Sequence, residues 1–428
     1  MEAMGNAKPT RLRVWAIAAS CLVLGLPMLA FFLQIYAKRT EERRWEEMRL
    51  WCERAAQEAA TRDSKRPVLR GEALEGNAWE DYDKAIASLG STKLNPAESF
   101  FFKSPDADRA KTLEVVRSHA TALEALRRGA SRGSASRKPE WERPSGSSAN
   151  KPYLLALLAA CKSRFLVEEG HPLEAMELLL AGAQYATDLA RNSGDLDALN
   201  AQSVLSIVLG EMRGLLEPGI LGREDQAELA RHLKLLDERF PTEADYYELS
   251  PVSTGFDLLR KGSLQEIRTS MGISDPIKPT WRYGFSDRLV LVDAFQFQLS
   301  CCRQMKTAAG KPWKDAREIF TQVAADGRSS KNPLLRQMAI ISEKLSDSRP
   351  RNLFRETRAQ LRLMRMLAVY RTEDALPTLQ DPFGLHLRSS ITSSQIRMWS
   401  VGPDGIDDGG NGAWDVRKSA DIVLNVNR

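Results

Sequence analysis

PYLLALLAACKSRFLVEEG (Pro152–Gly170), followed directly by HPLEAMELLLAGAQYATDLARNSG (His171–Gly194), decides the fold class. Both stretches are rich in Leu, Ala and Glu, which favour helix. Pro152 and Pro172 stand where a first helical turn tolerates proline; Gly170 and Gly194 stand where a helix ends. Two similar segments follow, Asp195–Gly219 with Asp195 as its expected cap, and Gly222–Pro241. Helices joined by a few residues pack as antiparallel neighbours. The reading is a mainly α protein built on an α-helical hairpin array.

That array is expected to cover 152–360. After Pro241 the pattern loosens, with Pro251, Gly255 and Gly262 interrupting the stretch up to Met271, and SDPIKPTWRYG (Ser274–Gly284) forming a loop. Asp287–Lys306 is apolar and partly β-branched, leaving a strand open in its first half, but its length favours a buried helix. Further helices are expected at 313–325, 333–345 and 353–373. The turn Glu168-Glu169-Gly170-His171-Pro172-Leu173-Glu174-Ala175 resembles the turn of a tetratricopeptide-like hairpin. The spaced aromatics and the recurrence at roughly 34 residues are missing, so the repeat family stays open.

Toward the N-terminus, Gly129–Lys151 is rich in Ser, Gly, Pro and basic residues and reads as a linker. Its Arg132, Arg137, Lys138 and Arg143, with Arg127 and Arg128 before it, form a solvated basic stretch; contact with anionic lipid or an acidic partner is the alternative. The region 38–128 is expected to hold a helical stalk from Lys38 to about Arg62, a helix opened by an Asn77/Glu80 capping box, and a helix over 107–128.

VWAIAASCLVLGLPMLAFFLQIYA (Val14–Ala37) has no charged residue and lies between a basic arm (residues 1–13) and Lys38-Arg39. At ~1.5 Å per residue it is long enough to cross a hydrocarbon core of about 30 Å. A cleaved signal peptide has an apolar run of about 7–15 residues and a small-x-small site. This run is longer, and Ile35 spoils the site. The expectation is a single-pass anchor in the inner (cytoplasmic) membrane, with the body on the periplasmic or external side.

Composition is that of a globular protein: 43% hydrophobic and 27% charged over 428 residues. A net charge of +5 is small for this length and argues against nucleic acid as a partner. Five Cys without a C-x-x-C, and four dispersed His, support neither a disulfide framework nor a zinc site. Cys301 and Cys302 read as small buried residues.

The chain from 361 to 428 carries Asp381-Pro382-Phe383-Gly384, then Trp399-Ser400-Val401-Gly402-Pro403-Asp404-Gly405, then Gly409-Gly410 and Ala420-Asp421-Ile422. In this order the elements resemble the C-terminal part of the major pseudopilin of type II secretion. The resemblance implies a helix leading to a small β element, and a loop holding a structural Ca²⁺ with Asp404 and Asp421 as ligands. Residue chemistry points the same way: hard carboxylates suit Ca²⁺, and Asp407, Asp408 and Asp415 cluster in the same Gly-rich loop. An Asp/Gly turn without metal is the alternative. The membrane segment lacks the Glu that begins a pseudopilin helix, and a large helical region separates it from the tail, so a filament subunit is not expected.

No H-E-x-x-H or G-x-x-x-x-G-K-[ST] occurs. Three functions follow in order: a non-catalytic interaction or scaffold module of the bacterial envelope with a protein partner, a component associated with a type II secretion-like apparatus, and an enzyme with nonlocal catalytic residues.

Overall fold

The computed structural model describes residues 9–60, 73–90, 109–137, 150–191, 195–270, 277–278, 283, 286–337, 353–414 and 421–428. No side chain is described before Phe32, nor at Leu33, Ala60, Asp195 or Leu196. The chain is mainly helical and ends in a small four-stranded sheet.

Helix α1 runs unbroken over Pro9–Ala60. Its outer half is held by helix-spaced ion pairs, Arg49 with both Glu46 and Glu53. Most of the apolar segment 14–37 lies outside the described side chains. Among the described residues no helix is long and apolar enough to cross a membrane. Phe32 and Tyr36, at the end of that segment, are 60% and 71% exposed.

Past them α1 is no free stalk. Met48 and Cys52 are buried in a core shared with α9 (Glu243–Lys261) and α11 (Asp287–Ala309). Trp51 meets Phe295 edge-on at 5.3 Å, and the Arg288 guanidinium lies 5.2 Å from the Trp45 ring. The interruptions expected from Pro251 and Gly255 do not occur: α9 runs through both and stops at Gly262, whose φ of 67° makes a left-handed cap. Gly255 serves contact instead. A Cβ there would stand 2.3 Å from Cys52 Sγ.

Next come strand β1 (Leu74–Asn77), α2 (Ala78–Ser88), α3 (Arg109–Ser118) and α4 (Ala120–Ala130). Asn77 caps α2 by accepting from the Trp79 amide; the Glu80 half of the expected box does not form, and Glu80 stays exposed. The helix expected over 107–128 is broken at His119. Residues 129–137, read as the start of a linker, are ordered: α4 reaches Ala130, and β2 (Arg132–Ser134) pairs in parallel with β1. Three of the basic residues have found carboxylates. Arg128 and Arg132 each donate to buried Asp81 at 2.8 Å. Arg137 bonds Asp197 at 3.2 Å and covers the Trp79 ring at 3.8 Å. Burial works to raise the Asp81 pKa, but the two guanidinium partners prevail and hold it below the usual range. The rest of the expected linker up to Ala149 lies outside the described residues.

Four helices stand where the sequence places them: α5 (Lys151–Glu168), α6 (Pro172–Ala190), α7 (Asp195–Leu215) and α8 (Arg223–Arg239). From Ala175 to Ala190 nearly every α6 residue is buried, as for a helix enclosed on all sides. Its Asp188 accepts from Tyr82 Oη at 2.9 Å and Gln184 at 3.0 Å, tying α6 to α2. A short α10 (Leu264–Ser270), α11 and α12 (Trp313–Ser329) follow; the strand option for α11 is not taken. Of the helix expected over 333–345, the part beyond residue 337 lies outside the described residues.

The last helix, α13 (Leu353–Glu373), packs on α7 and α8 and against the C-terminal sheet. That sheet is ordered β3 (Arg388–Ile391), β4 (Gln395–Ser400), β6 (Asp421–Asn427), β5 (Gly412–Ala413). The first three strands are antiparallel and β5 joins β6 in parallel. Ile396, Met398, Ile422 and Leu424 share the main core with α13, so the tail is continuous with the helical body.

Candidate functional site

The tail loop and its seam with the body concentrate the unusual chemistry. Asp381 is buried and fully engaged: Oδ1 accepts from Ser400 Oγ at 2.7 Å and the Phe383 amide at 2.9 Å, and Oδ2 from the Val401 amide at 2.9 Å. It fastens the Asp-Pro-Phe-Gly turn to the end of β4. The chain then reverses through Gly402, Gly405, Gly409 and Gly410, all at φ of 65–76°, where a side chain is disfavoured.

The four candidate metal ligands divide. Asp421 opens β6 and is buried; Oδ2 accepts from the Gly410 amide at 2.8 Å, while Oδ1 has no partner among the described residues. Burial raises its pKa, the Gly410 and Asp408 amides oppose the rise, and the charges of Asp407 and Asp408 add to it. Asp407 is committed elsewhere. Its Oδ1 accepts from Trp399 Nε1 at 2.9 Å and the Gly409 amide at 3.1 Å, and its Oδ2 pairs with Arg388 at 2.7 Å. The Trp399 bond leads in lowering its pKa, against slight desolvation and with help from Gly409 and Arg388. Asp408 is exposed. Asp404 closes a local turn onto the Ile406 amide at 3.0 Å and lines a different surface, facing α12. Asp415 lies outside the described residues.

Among the described residues no three acidic, His or Cys side chains are grouped to hold a metal. The nearest approach to a cation site is Asp421 Oδ1, buried and without a partner among the described residues, with the charge of Asp408 acting on it. Ca²⁺ there would offset two neighbouring negative charges, with oxygens of the turn completing its shell.

The tail is latched to the body by residues that sequence reading did not single out. Trp313 donates from Nε1 to Pro403 O at 2.6 Å and meets Phe383 edge-on at 5.3 Å. Gln360 on α13 donates to Trp414 O at 2.9 Å. Trp414 packs against the core near Gly210 of α7. A lone Trp in a Gly/Asp-rich loop was the available signal. Along this seam runs a cleft of about 560 Å³, with Trp313 and Phe383 in its wall and Lys314, Arg317 and Glu318 along one side. Leu385 and Ile406, next to its lining, are 81% and 60% exposed.

Cys52, Cys161, Cys301 and Cys302 are buried free thiols. Burial pushes the Cys52 and Cys161 thiols up to about 12 and Cys301 to about 11, which suits packing and opposes nucleophilic use. Comparison with family models, curated proteins and solved structures finds no match.

Proposed function

We propose that this is a single-pass protein of the bacterial inner membrane, with its body on the external side, acting as a non-catalytic interaction or scaffold module. The observation that supports this reading is the exposure of Leu385 and Ile406, each within two residues along the chain of one that lines the seam cleft. Exposed apolar surface that gathers beside a cleft is characteristic of protein–protein contact. The test is affinity purification of the full chain from detergent-solubilised membranes of cells that express it natively. Leu385→Asp with Ile406→Asp is expected to lose a co-purifying protein by roughly tenfold while the melt is unchanged. Undiminished recovery overturns this surface.

A second reading, association with a type II secretion-like apparatus, is favoured by the pseudopilin-like order of the tail and by Asp421. An acid whose folded pKa is raised costs stability as pH climbs from its unfolded value through its folded one, and the cost persists above. Calcium at Asp421 would offset it. Added calcium is therefore expected to raise the melting temperature of the full chain at pH 7, by the linkage of binding to the native state alone. Asp421→Asn should melt higher than the parent in chelator and show no further calcium shift. Equal calcium shifts in the two proteins would sink the site.

A further inference from the structure

We infer that the seam between α8 and α13 carries a binding site for a phosphate-type oxyanion, built from Arg358, Arg362 and Arg365. In LFRETRAQLRLMRMLAVYRTE these arginines recur at helical spacing and face one side of α13. All three converge on a single buried carboxylate, Asp237 of α8. Arg362 Nε stands 3.1 Å from both its oxygens, Arg365 Nη1 3.6 Å from Oδ2 and Arg358 Nε 3.9 Å from Oδ1.

One carboxylate leaves three guanidiniums under-neutralised. Arg358 donates to Phe240 O at 2.7 Å and Arg362 to Gln380 O at 2.9 Å, but carbonyls bring no net charge. Asp245 also acts on Arg358, yet its Oδ2 is engaged by the Thr242 amide and hydroxyl at 2.7 Å each. Arg365 donates no hydrogen bond among the described residues, so its fork is open. Desolvation and the neighbouring Arg362 both press against the charge of Arg358, with Asp237 opposing. The three side chains are 18–21% exposed, which leaves a small anion an approach with little competing water.

Guanidinium forks match carboxylate and phosphate oxygens in pairs. Three forks around one point call for more acceptor oxygens than a carboxylate's two, which favours a phosphate group. Free phosphate and the phosphomonoester of a lipid headgroup share this chemistry.

The test is calorimetry on the full chain in neutral detergent at pH 7, with ionic strength held constant by sodium chloride. Inorganic phosphate is titrated in one arm and glycerol 3-phosphate in the other. Saturable binding is expected in at least one arm, with Arg365→Gln weakening it roughly tenfold at an unchanged melting temperature. Tighter phosphate binding assigns the free ion; tighter glycerol 3-phosphate binding assigns a headgroup. Arg358→Gln serves as a second variant, since Asp237 keeps its bond to Arg362. No saturable heat in either arm up to about 20 mM, or binding unchanged in both variants, overturns the site.

Discussion

Arg355→Ala lowers the unfolding free energy by about 3–5 kcal/mol, the cost of leaving a buried charge without its partner. Arg355 and Glu243 form that pair at 3.0 Å, with side chains only 9% and 6% exposed. The same guanidinium donates to Pro382 O at 3.0 Å and to Ala309 O and Lys311 O at 3.3 Å, and stacks 5.2 Å from Trp313. One side chain thus joins α9, the α11–α12 turn and the Asp-Pro-Phe-Gly turn. Tyr247, beside Glu243, has its ionisation pushed up by burial and by that carboxylate. Urea unfolding with tryptophan emission is the measurement, because Trp313 sits at the joint. Arg355→Met with Glu243→Leu should recover much of the loss, since an apolar pair of similar volume leaves no charge stranded. A single mutant as stable as the parent would show that the joint is dispensable.

Gly255→Ala is expected to destabilise the contact between α1 and the body by about 1–3 kcal/mol, the usual range for overpacking. The new methyl would lie 2.3 Å from Cys52 Sγ and 2.9 Å from Phe295 Cε2. Trypsin should then cut the Arg-rich 38–60 segment faster, because released helix presents sites that docking covers. Adding Cys52→Ala removes the nearer obstacle and should restore most of the protection; Phe295 keeps the rescue incomplete. Parent-like digestion of Gly255→Ala would mean that α1 is not held at this glycine.

The sequence by itself determined what depends on residues within a turn or two of one another. Periodicity and Pro/Gly punctuation place α5 to α8, length settles α11 as a helix, and Asn77 caps α2 through an amide two residues away. The ordered motifs of the tail mark where β4 ends and β6 begins. Tertiary structure alone decided the pairings, because their partners lie far apart in the chain. Asp81 and Arg132 are 51 residues apart, Trp313 and Pro403 90, Asp237 and Arg362 125. For the same reason the basic start of the apparent linker is consumed internally, and Gly255 is a contact within an unbroken helix. The tail aspartates show the division most plainly. Composition treats Asp404, Asp407, Asp408 and Asp421 alike, but only the fold assigns Asp407 to Trp399 and Arg388, turns Asp404 toward α12 and buries Asp421 with one oxygen unpartnered among the described residues. A carboxylate's role is set by the dielectric and the donors around it, and a folded chain draws these from every part of its length.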